Sequence, residues 1–394
     1  MTGPADAAPA PWAVFDQLTG QEQVVGQLRA AVTSGRPAHA WMFTGPPGSG
    51  RSVAARAFAA ALLCPERGCG RCPACRQVAA GSHADLLLVR PDGLSFGVRL
   101  TRELVLRAAA APVSGPWRIV LFEDADRATE QAANALLKAI EEPPSRTIWL
   151  LCAPSAADLP VTIRSRCAQV ALRQPPVAAV AALLEREGVA SGVALAAARA
   201  SLGHIGRARR LATDPQAAGR RAEVLAVPAR ARGLSGAFTA AQAIVKAAET
   251  DAETTTQALD EPEREAMRRA LGEGSTGKGV ASMVRGAAGA LKDLEERQKS
   301  RATRIKRDSL DLALLDLASF YRDVLAVQFG AAVELANADR EGDVRAVAAA
   351  GDPASTIRRI EAIMRCRERL AANVTPLLAV EEMALALAGH GADG

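Results

Sequence analysis

The stretch AWMFTGPPGSGRSVAARAFAAALL, residues 40–63, decides the fold of this chain. It opens with a short apolar run ending at Thr44, turns through Gly45, Gly48 and Gly50, and continues as an alanine-rich helix. A strand, a glycine-rich turn and a helix N-terminus in succession make an anion site. Unpaired backbone N–H groups and the helix dipole converge at one place. Against the phosphate-loop pattern G-x-x-x-x-G-K-[ST], the chain keeps Gly45, Gly50 and Ser52 but carries Arg51 where the lysine belongs. A lysine reaches phosphates as a compact ammonium, whereas arginine is a longer planar fork. The expectation is a nucleotide-type fold with impaired turnover; the bland rival is a βα turn with no ligand.

Working outward, WRIVLFED (117–124) and TIWLLCAP (147–154) read as two further buried strands. The helix TEQAANALLKAIEE (129–142) lies between them and is stopped by Pro143 and Pro144. This alternation predicts an α/β domain with a parallel sheet. Its second strand ends with Glu123 then Asp124, the reverse of the Asp-Glu order that holds magnesium and orients water. After RQPP (173–176) the strand signals fade into short helices. Residues 231–308 are poorly readable, and the mixed-charge run KDLEERQKSRATRIKRD (292–308) reads as a solvated helix face.

The 394 residues include 48 Lys and Arg against 43 Asp and Glu, a net charge of +5, which permits nucleic-acid contact without arguing for it. No apolar run reaches the ~18 residues of a membrane span. The opening MTGPADAAPAP lacks the basic start and apolar core of a signal peptide, so the expected location is cytoplasmic. Four of seven cysteines, Cys64, Cys69, Cys72 and Cys75, fall in CPERGCGRCPAC. At this spacing they predict one tetrahedral zinc site with four thiolate ligands, structural because no ligand position stays open, with Arg67, Arg71 and Arg76 offsetting its charge. An iron–sulfur cluster and ordinary reduced thiols are the rivals. The four histidines, His39, His83, His204 and His390, are scattered and read as core or surface residues. Aromatic and basic residues do not interleave, so any DNA contact is expected at phosphates rather than bases.

AHAWMFTGPPGSGRS (38–52), NALLKAIEEPP (134–144), LPVTIRSRC (159–167) and the four-cysteine insertion together resemble the bacterial clamp-loader branch of the AAA+ ATPases. The resemblance spans about residues 12–212, and LAANVTPLLAVEEMALAL (370–387) resembles the last helices of that family's collar domain. It implies a AAA+ parallel-sheet core with its zinc module (1–172, cysteines at 64–75), a helical lid (173–216) and a helical collar (217–394) carrying the insertion at about 231–308. It also places the γ-phosphate-sensing threonine at Ala153 or Pro154, and the lid arginine at Gly206, with Arg207 one place late. Gly45, Gly48, Gly50, Arg51, Ser52, Glu123 and Asp124 would form a degenerate nucleotide site, holding ATP or ADP without hydrolysing it. Ser165, Arg166 and Cys167 match the family's SRC motif, whose arginine reaches a neighbouring subunit's nucleotide as a finger, with Val161 and Ile163 as apolar anchors of the loop.

The implied function is that of a catalytically silent subunit of the DNA polymerase III clamp loader, which sets a sliding clamp on primed DNA. Its partners would be the tau/gamma ATPase subunits, the delta subunit, the clamp, and primer-template DNA through backbone contacts, with no membrane. The rival readings are an active ATP-hydrolysing AAA+ subunit or motor, and a non-replicative zinc-bearing interaction protein on a degenerate AAA+ fold.

Overall fold

A computed structural model describes residues 11–231, 233–270 and 280–389. Most of MTGPADAAPAP, His390, and residues 232 and 271–279 of the poorly readable stretch lie outside the described residues. The chain divides into two compact units. One comprises the described residues up to Pro91 together with Ser95–Arg209, and the other comprises Asp92–Leu94 with the residues from Arg210 onward.

The first unit runs α1 (Glu22–Thr33), β1 (Ala40–Thr44), α2 (Arg51–Leu63), α3 (Pro73–Ala80), β2 (Leu86–Val89), α4 (Val98–Ala108), β3 (Arg118–Phe122), α5 (Glu130–Glu141), β4 (Thr147–Ala153), α6 (Val161–Arg164), β5 (Ala168–Ala171), α7 (Val177–Arg186), α8 (Ser191–Ala200) and α9 (Ile205–Thr213), the last continuing past Arg209. Its five strands form one parallel sheet in the order β2-β3-β4-β1-β5. Phe43, Leu121 and Leu150 face one apolar layer with Phe58 of α2, while Met42, Val120 and Trp149 face the other with Leu136 and Ile140 of α5. Strands covered on both faces need no polar alternation, which is why β1, β3 and β4 read as continuous apolar runs.

The turn before β3 is held by Asp85, whose side chain is fully buried. Its carboxylate accepts N–H bonds from Val113 (2.6 Å), Ser114 (2.8 Å) and Gly115 (2.7 Å), and Arg118 lies 3.7 Å away. Burial pushes its pKa up, but the three N–H donors and the Ser114 hydroxyl outweigh that and hold it at about 2. A carboxylate depressed from 3.8 contributes stability that is complete above pH 3.8 and lost as pH falls through about 2. That contribution is about 2 kcal/mol. Thermal unfolding of wild type and Asp85→Asn from pH 6 to pH 2.5 should show a gap that narrows toward the acid end; a pH-independent gap would contradict it.

The second unit is helical: α10 (Pro215–Leu225), α11 (Val227–Arg230), α12 (Gly233–Ala270), α13 (Val280–Gln328), α14 (Glu341–Ala350), α15 (Pro353–Ala371) and α16 (Pro376–Leu387). Leu310, Leu314, Leu317, Tyr321 and Val324 make one buried stripe of α13, packed with Ile363 and Leu370 of α15 and Val380 and Met383 of α16. The described part of 231–308, poorly readable in the sequence, forms two long antiparallel helices. Ion pairs cross between them from Glu249 to Lys306 (2.5 Å) and from Asp260 and Glu263 to Arg301 (2.5 Å each). The charge run at 292–308 thus supplies partners to α12 as well as a solvated face. Among the described residues no helix is long and apolar enough to cross a membrane.

Candidate functional site

The glycine loop that the sequence offers as a phosphate loop leaves the C-terminal end of β1, whose neighbours are β4 and β5. Gly45 donates its N–H to Pro154 O (3.1 Å), tying the loop to the end of β4. Gly50 caps α2 at φ 90, and Gly48 sits at φ 84 with the His204 ring packed so closely that a Cβ there would overlap it. Any side chain at 48 would have to displace the histidine. Burial, followed by the Arg207 and Arg51 charges, lowers the His204 pKa, so the ring rests neutral on the loop. A cavity of about 350 Å³ adjoins this seat, lined by Leu18, Gln21, Ser49, Arg51, His204 and Gly206 among others.

Arg51, the residue in the lysine position, folds back and donates to its own loop's Gly45 carbonyl. Ser52 stands beside it in the first turn of α2 and also lines the cavity. Glu123, at the end of β3, is buried and held by two guanidiniums: Arg56 of α2 at 2.5 Å and Arg90 beyond β2 at 2.8 Å. Asp124 follows in a left-handed conformation (φ 52), with Arg127 3.9 Å from its carboxylate. Ala153 pairs with Thr44 across β1 and β4, so the position beside the loop carries a methyl group. Gly206 lines the cavity, and Arg207 uses its backbone N–H to donate to His204 Nδ1 (3.2 Å).

Cys64 closes α2 and Cys72 caps α3, so the cysteine loop is strung between two helix ends. The four sulfurs lie within 4.8 Å of one another, with Cys64 to Cys69 at 3.7 Å and Cys64 to Cys72 at 3.6 Å. Tetrahedral thiolates bound ~2.3 Å from one ion stand ~3.8 Å apart, so the set fits a single metal ion. Burial raises the Cys64 pKa, but backbone N–H groups of Cys69, Gly68 and Glu66 overcome it and bring the thiol down to about 7. Arg67 takes φ 55 and Gly68 φ 88, the turn that wraps the sulfurs.

The SRC loop follows α6. Ile163 and Cys167 are buried, and burial pushes the Cys167 thiol up to about 11. Val161 is 62% exposed, so it does not anchor the loop as the sequence suggested. It starts a four-residue helix on the solvent side, and Cys167 takes the anchoring part. Ser165 Oγ donates to Thr162 O (3.2 Å). Arg166 is exposed and donates to Thr162 O (2.8 Å), with Glu141 2.8 Å from its other terminal nitrogen. It does not line the phosphate-loop cavity.

Three participants were not singled out from the sequence. Arg56 stands alone in the otherwise small and apolar face of α2, a signal that was available. Arg90 could be placed only once β2 was known to pair with β3. His204 was read as an ordinary core or surface histidine.

A glycine-rich loop after β1, an acidic pair after β3 and a five-stranded parallel sheet in this order fit the AAA+ type of α/β core that the sequence resembles. Residues 20–176 match the family model described as DNA polymerase III, delta subunit. The DNA polymerase III subunit gamma/tau of Mycobacterium tuberculosis is 37% identical over 186 residues, 45% of this chain and 32% of that protein. The subunit delta' of Pseudomonas aeruginosa is 36% identical over 181 residues, 44% of this chain and 51% of that protein. A DNA polymerase III gamma subunit-related protein of Thermotoga maritima aligns with 93% of this chain and 98% of its own at 16% identity, TM-score 0.40. Through residues 20–176 the chain is thus similar to subunits of DNA polymerase III. It spans about half or less of the length of the curated relatives it matches.

Proposed function

We propose that this chain is the delta-prime type of clamp-loader subunit: a catalytically silent member that serves a neighbour's ATPase site while its own stays idle. The observation that carries the reading is the double arginine grip on Glu123. In phosphoryl transfer the acidic residues at the strand end hold magnesium and orient the nucleophile. Here the carboxylate in that place is already neutralised by Arg56 and Arg90, and Arg51 is spent on a carbonyl of its own loop. Ala153 and Gly206 supply neither a hydroxyl nor a cation. These faults fall on one site and act together, and they favour this reading over an active ATPase.

ATP or ADP would be an unhydrolysed ligand of the loop Gly45 to Ser52, of which Gly48, Gly50, Arg51 and Ser52 line the cavity, whereas Gly45, Glu123 and Asp124 are not among its lining residues. Zinc is the metal best suited to Cys64, Cys69, Cys72 and Cys75, where it would be purely structural. The chain is read as a core to residue 172, a lid to 216 and a collar beyond. The proposed partners are the gamma/tau ATPase subunits, the delta subunit, the sliding clamp and the backbone of primer-template DNA, in the cytoplasm. The SRC loop supports this over a non-replicative zinc-bearing interaction protein.

The purified chain should copurify with clamp-loader ATPase subunits yet show no magnesium-dependent ATP turnover alone. Arg51→Lys should not restore turnover, because Glu123 remains gripped. Vigorous hydrolysis by the unmodified chain would replace this reading with the enzyme one.

A further inference from the structure

Arg166 is not poised for a neighbour in this structure; both ends of its fork are occupied within its own chain. One terminal nitrogen donates to Thr162 O (2.8 Å) and Ser165 Oγ (3.3 Å), and the other meets Glu141 Oε1 at 2.8 Å. A guanidinium stabilises a transferring phosphoryl group by turning those same nitrogens toward its oxygens. These contacts engage three of its five N–H donors, and swinging the fork to a phosphate gives up the Glu141 contact. Glu141 is the last residue of α5, where a carboxylate opposes the negative end of the helix dipole. An arginine brought beside it relieves that repulsion, so the pairing has a local cause.

We propose that Glu141 is a positioning residue that stows Arg166 in the unassembled chain and releases it when a neighbour's nucleotide site docks. This rests on the trans-acting role proposed above for Arg166. The two side chains are 40% and 41% exposed, so the pair is a latch and not a lock. Exposed pairs of this kind shift an equilibrium by up to about fivefold and weaken with salt. Stowing also keeps the finger's charge neutralised until a stronger anion competes for it.

The test uses the reconstituted clamp loader with its ATPase subunits, clamp and primed DNA, comparing wild type, Glu141→Gln, Arg166→Ala and the double variant. Glu141→Gln should raise stimulated ATPase at low salt measurably but by less than the pair's limit of about fivefold, because only the site facing this chain responds. The gain should shrink as salt rises and vanish in the Arg166→Ala background. In the isolated chain, phenylglyoxal should modify Arg166 faster in Glu141→Gln than in wild type, as read by peptide mass spectrometry. If Arg166→Ala lowers turnover while Glu141→Gln leaves it unchanged or lowers it at every salt concentration, stowing is wrong and the finger survives. If Arg166→Ala changes nothing, the finger itself is wrong, and the latch falls with it. Unaltered phenylglyoxal reactivity would also overturn the latch.

Discussion

Cys69→Ser combined with Cys72→Ser is expected to abolish a stoichiometric zinc, one ion per chain in wild type, and to lower the melting temperature of the chain by roughly 6–12 °C. The size follows from what the cysteine loop supports. Cys64, Cys69 and Cys75 are buried in the same apolar layer as Phe58, Leu63 and Val78. The segment before α1 is bonded to this loop, with Trp12 N–H donating to Arg67 O (3.2 Å) and Val14 N–H to Gly68 O (3.1 Å). Without a metal the four thiols have no ion to hold them together, and the turn at Arg67 and Gly68 is left without the bonds that close it. Structural zinc sites contribute folding energy directly. A loss of about 3 kcal/mol in a unit of ~200 residues corresponds to the stated shift. Elemental analysis and thermal unfolding decide the matter. A brown, iron-bearing preparation, or a metal-free wild type of equal stability, would refute zinc.

Much of the first unit could be read because its strands are buried on both faces. β1, β3 and β4 announce themselves as AWMFT, RIVLF and TIWLLCA. β2 and β5 do not. LLLV is only four residues, and AQVA is an edge strand with one buried side chain, so neither has a pattern that length or periodicity can separate from a loop. The long pair α12 and α13 was illegible for another reason. Much of what crosses between those helices is charge, as in Arg301 with Asp260 and Glu263, and α12 carries Pro262 internally. Salt-bridged partners from distant sequence leave no periodic trace. The site divides in the same way. Motif residues are local and were visible, whereas the grip on Glu123 needs β2 beside β3, a tertiary fact. Val161 failed as an anchor because apolar character alone does not say which side of a single helical turn faces inward.

Arg166→Ala is expected to leave assembly intact and to reduce the DNA- and clamp-stimulated ATPase of the reconstituted loader several-fold, with clamp loading falling in parallel. Supplying a finger in trans is worth roughly 10³–10⁵ in rate at a single site. In a ring with more than one working site, only the site facing this chain loses it, so total turnover falls less. Assembly should survive because Ile163 and Cys167, both buried, hold the loop, while the arginine is exposed. The deletion removes one partner of an exposed ion pair with Glu141, a change worth at most about 1 kcal/mol to the fold. A deficit in turnover therefore cannot be blamed on unfolding, and size-exclusion of the complex checks that directly. Arg51→Ala is the matched control. It removes a guanidinium of similar size whose bond is to its own loop carbonyl, so it should change loader activity little. The chain has no turnover of its own to lose under this reading, which means any deficit from Arg166→Ala arises at a neighbour's nucleotide. If Arg51→Ala halts loading while Arg166→Ala spares it, the working site lies in this chain. The grip of Arg56 and Arg90 on Glu123 would then have to open during the cycle, and the subunit would be a motor.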